Sequence, residues 1–179
     1  SAMYTGHIPA DVWTTLESVS SNLIQMEQYM DFLRNRTFRQ TLLCHQDVSI
    51  DRTLHPSDLE TLHVISPLLA ESAQPNVQSM ETLNFCHRQS PEHAVAMENP
   101  LLKAALVILA NAWPGSVPFP LLLAKSRLRV DQRSVVTVNQ IESQRIGLAT
   151  ELLRLYVHNL IELHAGPQSF TAVIDKCPK

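Results

Sequence analysis

Gln28-Tyr29-Met30-Asp31-Phe32-Leu33-Arg34-Asn35-Arg36-Thr37-Phe38-Arg39-Gln40-Thr41-Leu42-Leu43-Cys44 is where this chain changes its pattern, and three arginines sit at the change. Upstream, Val12, Leu16, Val19, Leu23, Ile24, Met26, Met30 and Leu33 recur at steps of three and four. That spacing predicts an amphipathic helix, or two in succession, over residues 11–34, with Asp11 as N-cap. Beyond Arg36 the period falls towards two and ends in the continuous run Leu42-Leu43-Cys44. This is the pattern of a mostly buried strand with Phe38 facing the core.

Short apolar stretches at residues 62–70 and 82–87, bounded by Pro67, Pro75 and Pro91, read as further strands of the same small sheet. Residues 55–60 read as one turn of helix or a tight connection, because Pro56 suits a first helical position and acids follow it. Residues 72–79 read as a loop. The expectation for a first domain, residues 11–98, is thus α+β, a helix packed on a small sheet.

Asn99-Pro100 opens a second domain, expected over residues 99–175, because an N-cap residue and a first-turn proline precede Leu101, Leu102, Ala105, Leu106, Ile108, Leu109 and Ala112. Pro114-Gly115 ends that helix, Val117-Pro118-Phe119 is a brief extended piece, and a second helix starts over 120–126. The polar residues 127–140 read as a loop or a mobile insertion. A third helix runs from about Ser143 to Asn159 with Ile146, Ala149, Leu152, Leu153 and Tyr156 inward. Two alternating runs, 160–164 and 169–173, then flank Ala165-Gly166-Pro167-Gln168 as a hairpin. Helix, strand, helix, helix, hairpin is the order of a winged helix.

Composition limits the function classes. With 179 residues, 45% hydrophobic content and a formal net charge of −3, the chain can bury a core and carries no long-range field for nucleic acid or anionic membranes. No window reaches the roughly 18 uninterrupted apolar residues of a membrane span, and the start lacks a secretory signal, so the expected location is cytoplasmic. Ser1-Ala2-Met3 reads as a cloning scar ahead of a fragment cut from a longer enzyme. Cys44, Cys86 and Cys177 form no Cys-x-x-Cys pair and read as reduced thiols.

The four glycines, Gly6, Gly115, Gly147 and Gly166, are far apart, so no glycine-rich loop can admit a cofactor's backbone-bound phosphate or amino-acid portion. No catalytic, cofactor-binding or metal-binding residue is assigned. The best local metal case, Cys86-His87 with His93, lacks paired-ligand spacing, and strand alternation sends Cys86 and His87 to opposite faces. These histidines, like His45, His55 and His63, read as solvated.

The interaction candidates are Arg34, Arg36, Arg39, Arg127 and Arg129. The first three can clamp a carboxylate or phosphate. They can equally pair with Asp31 or Asp47 and cap a helix C-terminus, which is the preferred reading. In the third helix Arg145 and Arg154 are offset by Glu142 and Glu151, so DNA binding is disfavoured and a protein-contact winged helix preferred.

Gln28-Tyr29-Met30-Asp31-Phe32, Arg36-Thr37-Phe38-Arg39 and Thr41-Leu42-Leu43-Cys44 resemble the bacterial methyltransferase regulatory domain over about residues 22–69. Asn99-Pro100-Leu101-Leu102-Lys103-Ala104-Ala105-Leu106, Trp113-Pro114, Val117-Pro118-Phe119 and Leu160-Ile161-Glu162-Leu163-His164 resemble the C-terminal winged-helix-like region of the same S-adenosylmethionine-dependent enzymes, some of which are protein lysine methyltransferases. The resemblance implies a non-catalytic regulatory or substrate-recognition segment. S-adenosylmethionine would bind in a catalytic domain of the same polypeptide, absent here, and the partners would be that domain and a protein substrate. The alternative is a winged-helix DNA-binding transcriptional regulator.

Overall fold

The structure, a computed structural model, describes residues 9–35, 45, 47–49, 51, 53–130 and 137–167. It is α+β, and its contacts divide it into two compact units, Ser1–Thr53 and Leu54–Lys179. The strand expected at residues 38–44, with the core position given to Phe38, lies outside the described residues, as do Cys44 and Cys177.

In the first unit two helices pack on each other, α1 (Ala10–Val19) and α2 (Leu23–Leu33). Asp11 is in the first turn of α1 and Pro9 takes the N-cap position expected for Asp11. Proline at that position ends the extended approach without a donor to satisfy. Asn22 separates the helices by capping α2: its side chain accepts the Gln25 N–H at 2.9 Å, while Gln25 Oε1 accepts the Ser21 N–H at 2.7 Å. Leu16 and Met30 are the buried residues of the pair. Asn35, at φ 48°, ends α2 in the left-handed region that asparagine tolerates better than most residues.

In the second unit a 3-10 helix (Pro56–Thr61) leads into β1 (His63–Ile65) and β2 (Leu68–Ala70). The expected single strand over 62–70 breaks at buried Ser66, whose hydroxyl accepts the Leu68 N–H at 3.2 Å, and at Pro67. Then follow β3 (Leu83–His87), β4 (Ser90–Met97), α3 (Pro100–Ala112), β5 (Val117–Pro118), α4 (Phe119–Val130), α5 (Val138–Val157) and β6 (Glu162–His164).

These strands make two antiparallel sheets, β5-β1-β6 and β2-β3-β4, instead of the one expected. In the first, Val64 pairs with Val117 and Leu163; in the second, Phe85 lies between Ala70 and Val95. One core joins both sheets to α3, α4 and α5 through Val64, Leu68, Phe85, Leu106, Leu109, Phe119, Leu122, Leu148 and Leu152. Residues 54–98 therefore share a core with the segment that follows residue 99, and the contact division falls between Thr53 and Leu54. The order α3, β5, α4, α5, β6 is the expected one, with β1 supplying the central strand of its sheet; residues 169–173 lie outside the described residues.

Three expectations for the second unit are corrected. Residues 90–97 are strand β4, so His93, read as a loop histidine, stands in a strand: Pro91 is tolerated because β4 is an edge strand. Residues 127–130, read as loop, extend α4. α5 begins at Val138 instead of near Ser143, because Thr137 and Gln140 form a capping box in which the Thr137 N–H reaches Gln140 Oε1 at 2.9 Å. No helix of the described residues is long and apolar enough to cross a membrane.

Candidate functional site

The α1–α2 pair presents one candidate surface. Helical periodicity turns Leu16 and Met30 inward and leaves a groove of about 540 Å³ lined by Val12, Thr15, Leu16, Tyr29, Phe32 and Leu33. Phe32 is 83% exposed and Leu33 61%, so large apolar side chains stand at the rim. Gln25 Nε2 donates to the Tyr29 hydroxyl at 3.0 Å and orients the ring. Arg34 is the C-cap of α2, where a cation is favoured, and both it and Asp31 are engaged by other groups. Arg36 and Arg39 lie outside the described residues, so the structure describes only Arg34 of the expected trio.

The second group of candidate cations is on α4. Arg127 is half-buried with its Nε lacking a hydrogen-bond partner among the described residues, and Arg129 is exposed near the helix end. Arg133 lies outside the described residues. On α5, Arg145 is held by Glu142, at 2.8 Å from Nε, and by Glu60 of the 3-10 helix. Glu142 and then Glu60 push the Arg145 guanidinium further up, and Arg145 in turn holds the Glu142 carboxyl below the usual range. Arg154 pairs with Glu151 at 3.0 Å. The cations of α5 are thus already paired.

Cys86 and His87 of β3 serve local structure. Cys86 donates its S–H to Glu71 Oε1 at 3.2 Å, and that bond, with lesser help from burial, raises the thiol above its ordinary range. A raised thiol is a poor nucleophile and a poor metal ligand at neutral pH. His87 Nδ1 accepts the Gln89 N–H at 3.1 Å in the β3–β4 turn. Arg88 in that turn donates to the Ala110 carbonyl at 2.9 Å and lies 5.7 Å from the Trp113 ring, which ties the turn to α3. Among the described residues, no three His, Cys, Asp or Glu side chains group as metal ligands.

Two features are absent from the sequence reading, a buried lysine and a cleft beside β4. Lys103 of α3 is fully buried and donates to the Ser79 and Glu81 carbonyls at 2.6 and 2.8 Å. A cleft of about 810 Å³ runs between β4, the start of α3 and the end of α5, with Val95, Met97 and Glu98 on one side and Glu151 and Leu155 on the other. The alternation Ala94-Val95-Ala96-Met97 was the available signal for the strand.

Residues 1–45 match a family model described as "Predicted methyltransferase regulatory domain". The match contains the quoted stretch 28–44 and starts upstream of the expected region 22–69, so the α1–α2 pair falls wholly within it. "Uncharacterized protein RP789" of Rickettsia prowazekii is 28% identical over 156 residues, which cover 86% of this chain and 28% of that protein. "Uncharacterized protein RP027" of the same organism is 32% identical over 85 residues, 46% of this chain and 34% of its own. The fold is similar to that of PKMT2 from Rickettsia typhi, with a TM-score of 0.70 and 21% identity over 90% of this chain and 31% of that one. For PKMT2 in complex with AdoHcy the values are 0.71, 22%, 90% and 30%. The chain therefore spans about a third or less of the length of each of these relatives.

Proposed function

We propose that this chain is a non-catalytic regulatory segment of a class I S-adenosylmethionine-dependent methyltransferase that works through protein contacts in the cytoplasm. The single observation that carries this reading is the family match over residues 1–45, which coincides with a helix pair displaying exposed apolar side chains. Phe32 and Leu33 offer the large, desolvatable anchors that protein interfaces favour. The partners are the catalytic domain of the same polypeptide and, through it, a protein substrate. The fold likeness to PKMT2 supports the placement beside such a domain.

The four separated glycines support the same assignment, since the cofactor needs a close-approaching backbone loop that this sequence does not contain. A DNA-binding winged helix would need free cations on α5, where Arg145 and Arg154 are held by Glu142, Glu60 and Glu151. Arg127 and Arg129 serve better as a local patch for acidic protein surface. Calorimetric titration of the purified chain with S-adenosylmethionine, and with its demethylated product, is expected to give no saturable heat. A micromolar dissociation constant for either would overturn the assignment as a segment without a cofactor site.

A further inference from the structure

We propose that an extended polypeptide segment with alternating aliphatic and basic side chains adds to the outer edge of β4 at residues 94–97, as a fourth strand seated in the cleft between β4 and α5. β4 is the last strand of the sheet β2-β3-β4. Among the described residues, the main chain of 94–97 hydrogen-bonds to β3 and to nothing else, so every second residue presents an open N–H and C=O outward. The early part of β4 carries the usual protection against pairing, Pro91 and Glu92; residues 94–97 carry none.

The cleft follows this edge. Val95, Ala96, Met97 and Glu98 are consecutive and all line it. Successive residues of a strand face opposite sides, so Val95, Ala96 and Met97, the last three of β4, share one cleft only along the strand's edge. Met97, Leu155 and the 70%-exposed Met80 give it an apolar wall suited to aliphatic side chains.

Charge selects among occupants. The Glu98 carboxylate has as its side-chain partner the Thr82 hydroxyl at 3.4 Å, and no cation pairs with it among the described residues. Glu151 and Arg154 both line the cleft and pair with each other, so of its carboxylates only Glu98 is without a guanidinium or ammonium partner among the described residues. A lysine or arginine of the added strand completes that pair. A second copy of this chain is the poorer occupant: antiparallel pairing of two β4 edges about Val95 sets Glu92 opposite Glu98, and like charges directly opposite destabilise.

This inference rests on the reading of the chain as a protein-contact segment. The test is fluorescence anisotropy of the full chain with a labelled octapeptide alternating valine and lysine, two forms of it N-methylated on alternate amides, and a form with glutamate for lysine. Saturable binding of the parent peptide is expected. At least a tenfold loss should follow methylation of one set of amides, replacement of lysine by glutamate, and the Glu98→Lys substitution in a protein whose circular dichroism is unchanged; Glu98→Gln should give a smaller loss. Equal binding of both methylated forms and the parent overturns strand addition, and indifference to Glu98→Lys overturns the charge argument. A chain dimer in sedimentation that the peptide competes away assigns the edge to a second copy and also overturns the proposal. Failure of peptide binding while the chain still alters methyl transfer by a catalytic domain sinks this inference alone.

Discussion

Phe85→Ala is expected to lower the unfolding free energy of the second unit by about 3–5 kcal/mol, the range for deleting a fully buried phenylalanine side chain. Phe85 is 0% exposed at the centre of β3, with Ala70 and Val95 as its cross-strand partners. It belongs to the core that joins the β2-β3-β4 sheet to α3. Alanine there leaves a void that the flanking strands cannot close, because their positions are fixed by pairing on both sides of β3. Domains of this size have about 5–15 kcal/mol in hand, so the loss is a large fraction of the total. Trp113 reports on this unit, and Trp13→Phe removes the other tryptophan. A urea midpoint followed through Trp113 should fall sharply at unchanged slope. An unchanged midpoint would place Phe85 outside the core.

Lys103→Ala should cost about 2–5 kcal/mol, as for truncating other long buried side chains. The four-carbon stem of Lys103 fills core space on α3, and its ammonium is the donor for the carbonyls of Ser79 and Glu81. Truncation opens a cavity and leaves both carbonyls to find water. Lys103→Met restores the volume without the donors, so it should cost less than alanine and more than nothing. Amide exchange in residues 72–82 should rise in both variants, because Lys103 pins that segment to α3. Equal stability of all three proteins would mean that the ammonium reaches solvent and the carbonyls are satisfied without it.

Local signals made part of this fold legible. Asn99-Pro100 marked the start of α3 correctly, since the Asn99 side chain accepts the Leu101 N–H at 2.9 Å. The three- and four-residue spacing of apolar residues located α1 and α2, and the order from α3 to β6 followed from the same periodicity. What was hidden depends on pairing between distant residues. β1 joins β5 and β6 across more than fifty residues of sequence, so no local pattern separates it from β2. Pro91 reads as a strand breaker unless β4 is known to be an edge. Nothing local in the sequence marks Lys103 as buried, because its acceptors are main-chain carbonyls, which every sequence has.

The candidate site was legible to a lesser degree. The stretch 28–44 lies within the residues that match the family model, and its arginines stand out in the sequence, whereas the described surface of that segment is defined by Phe32 and Leu33. Arg145 and Arg154 could be discounted from their neighbours in the helix, yet the bond from Arg145 to Glu60 is tertiary and could not be foreseen. The cleft along β4 is assembled from β4, the start of α3 and the end of α5, which no local pattern brings together.

Methyl transfer by a class I S-adenosylmethionine-dependent catalytic domain, the partner proposed for this chain, measured alone and with the chain added in trans, tests the central claim most directly. A several-fold change in turnover or in the KM for the methyl acceptor, saturating with added chain and weakened by Phe32→Asp in α2, is the predicted result. Identical kinetics with and without the chain, together with no complex between the two in sedimentation, would contradict it.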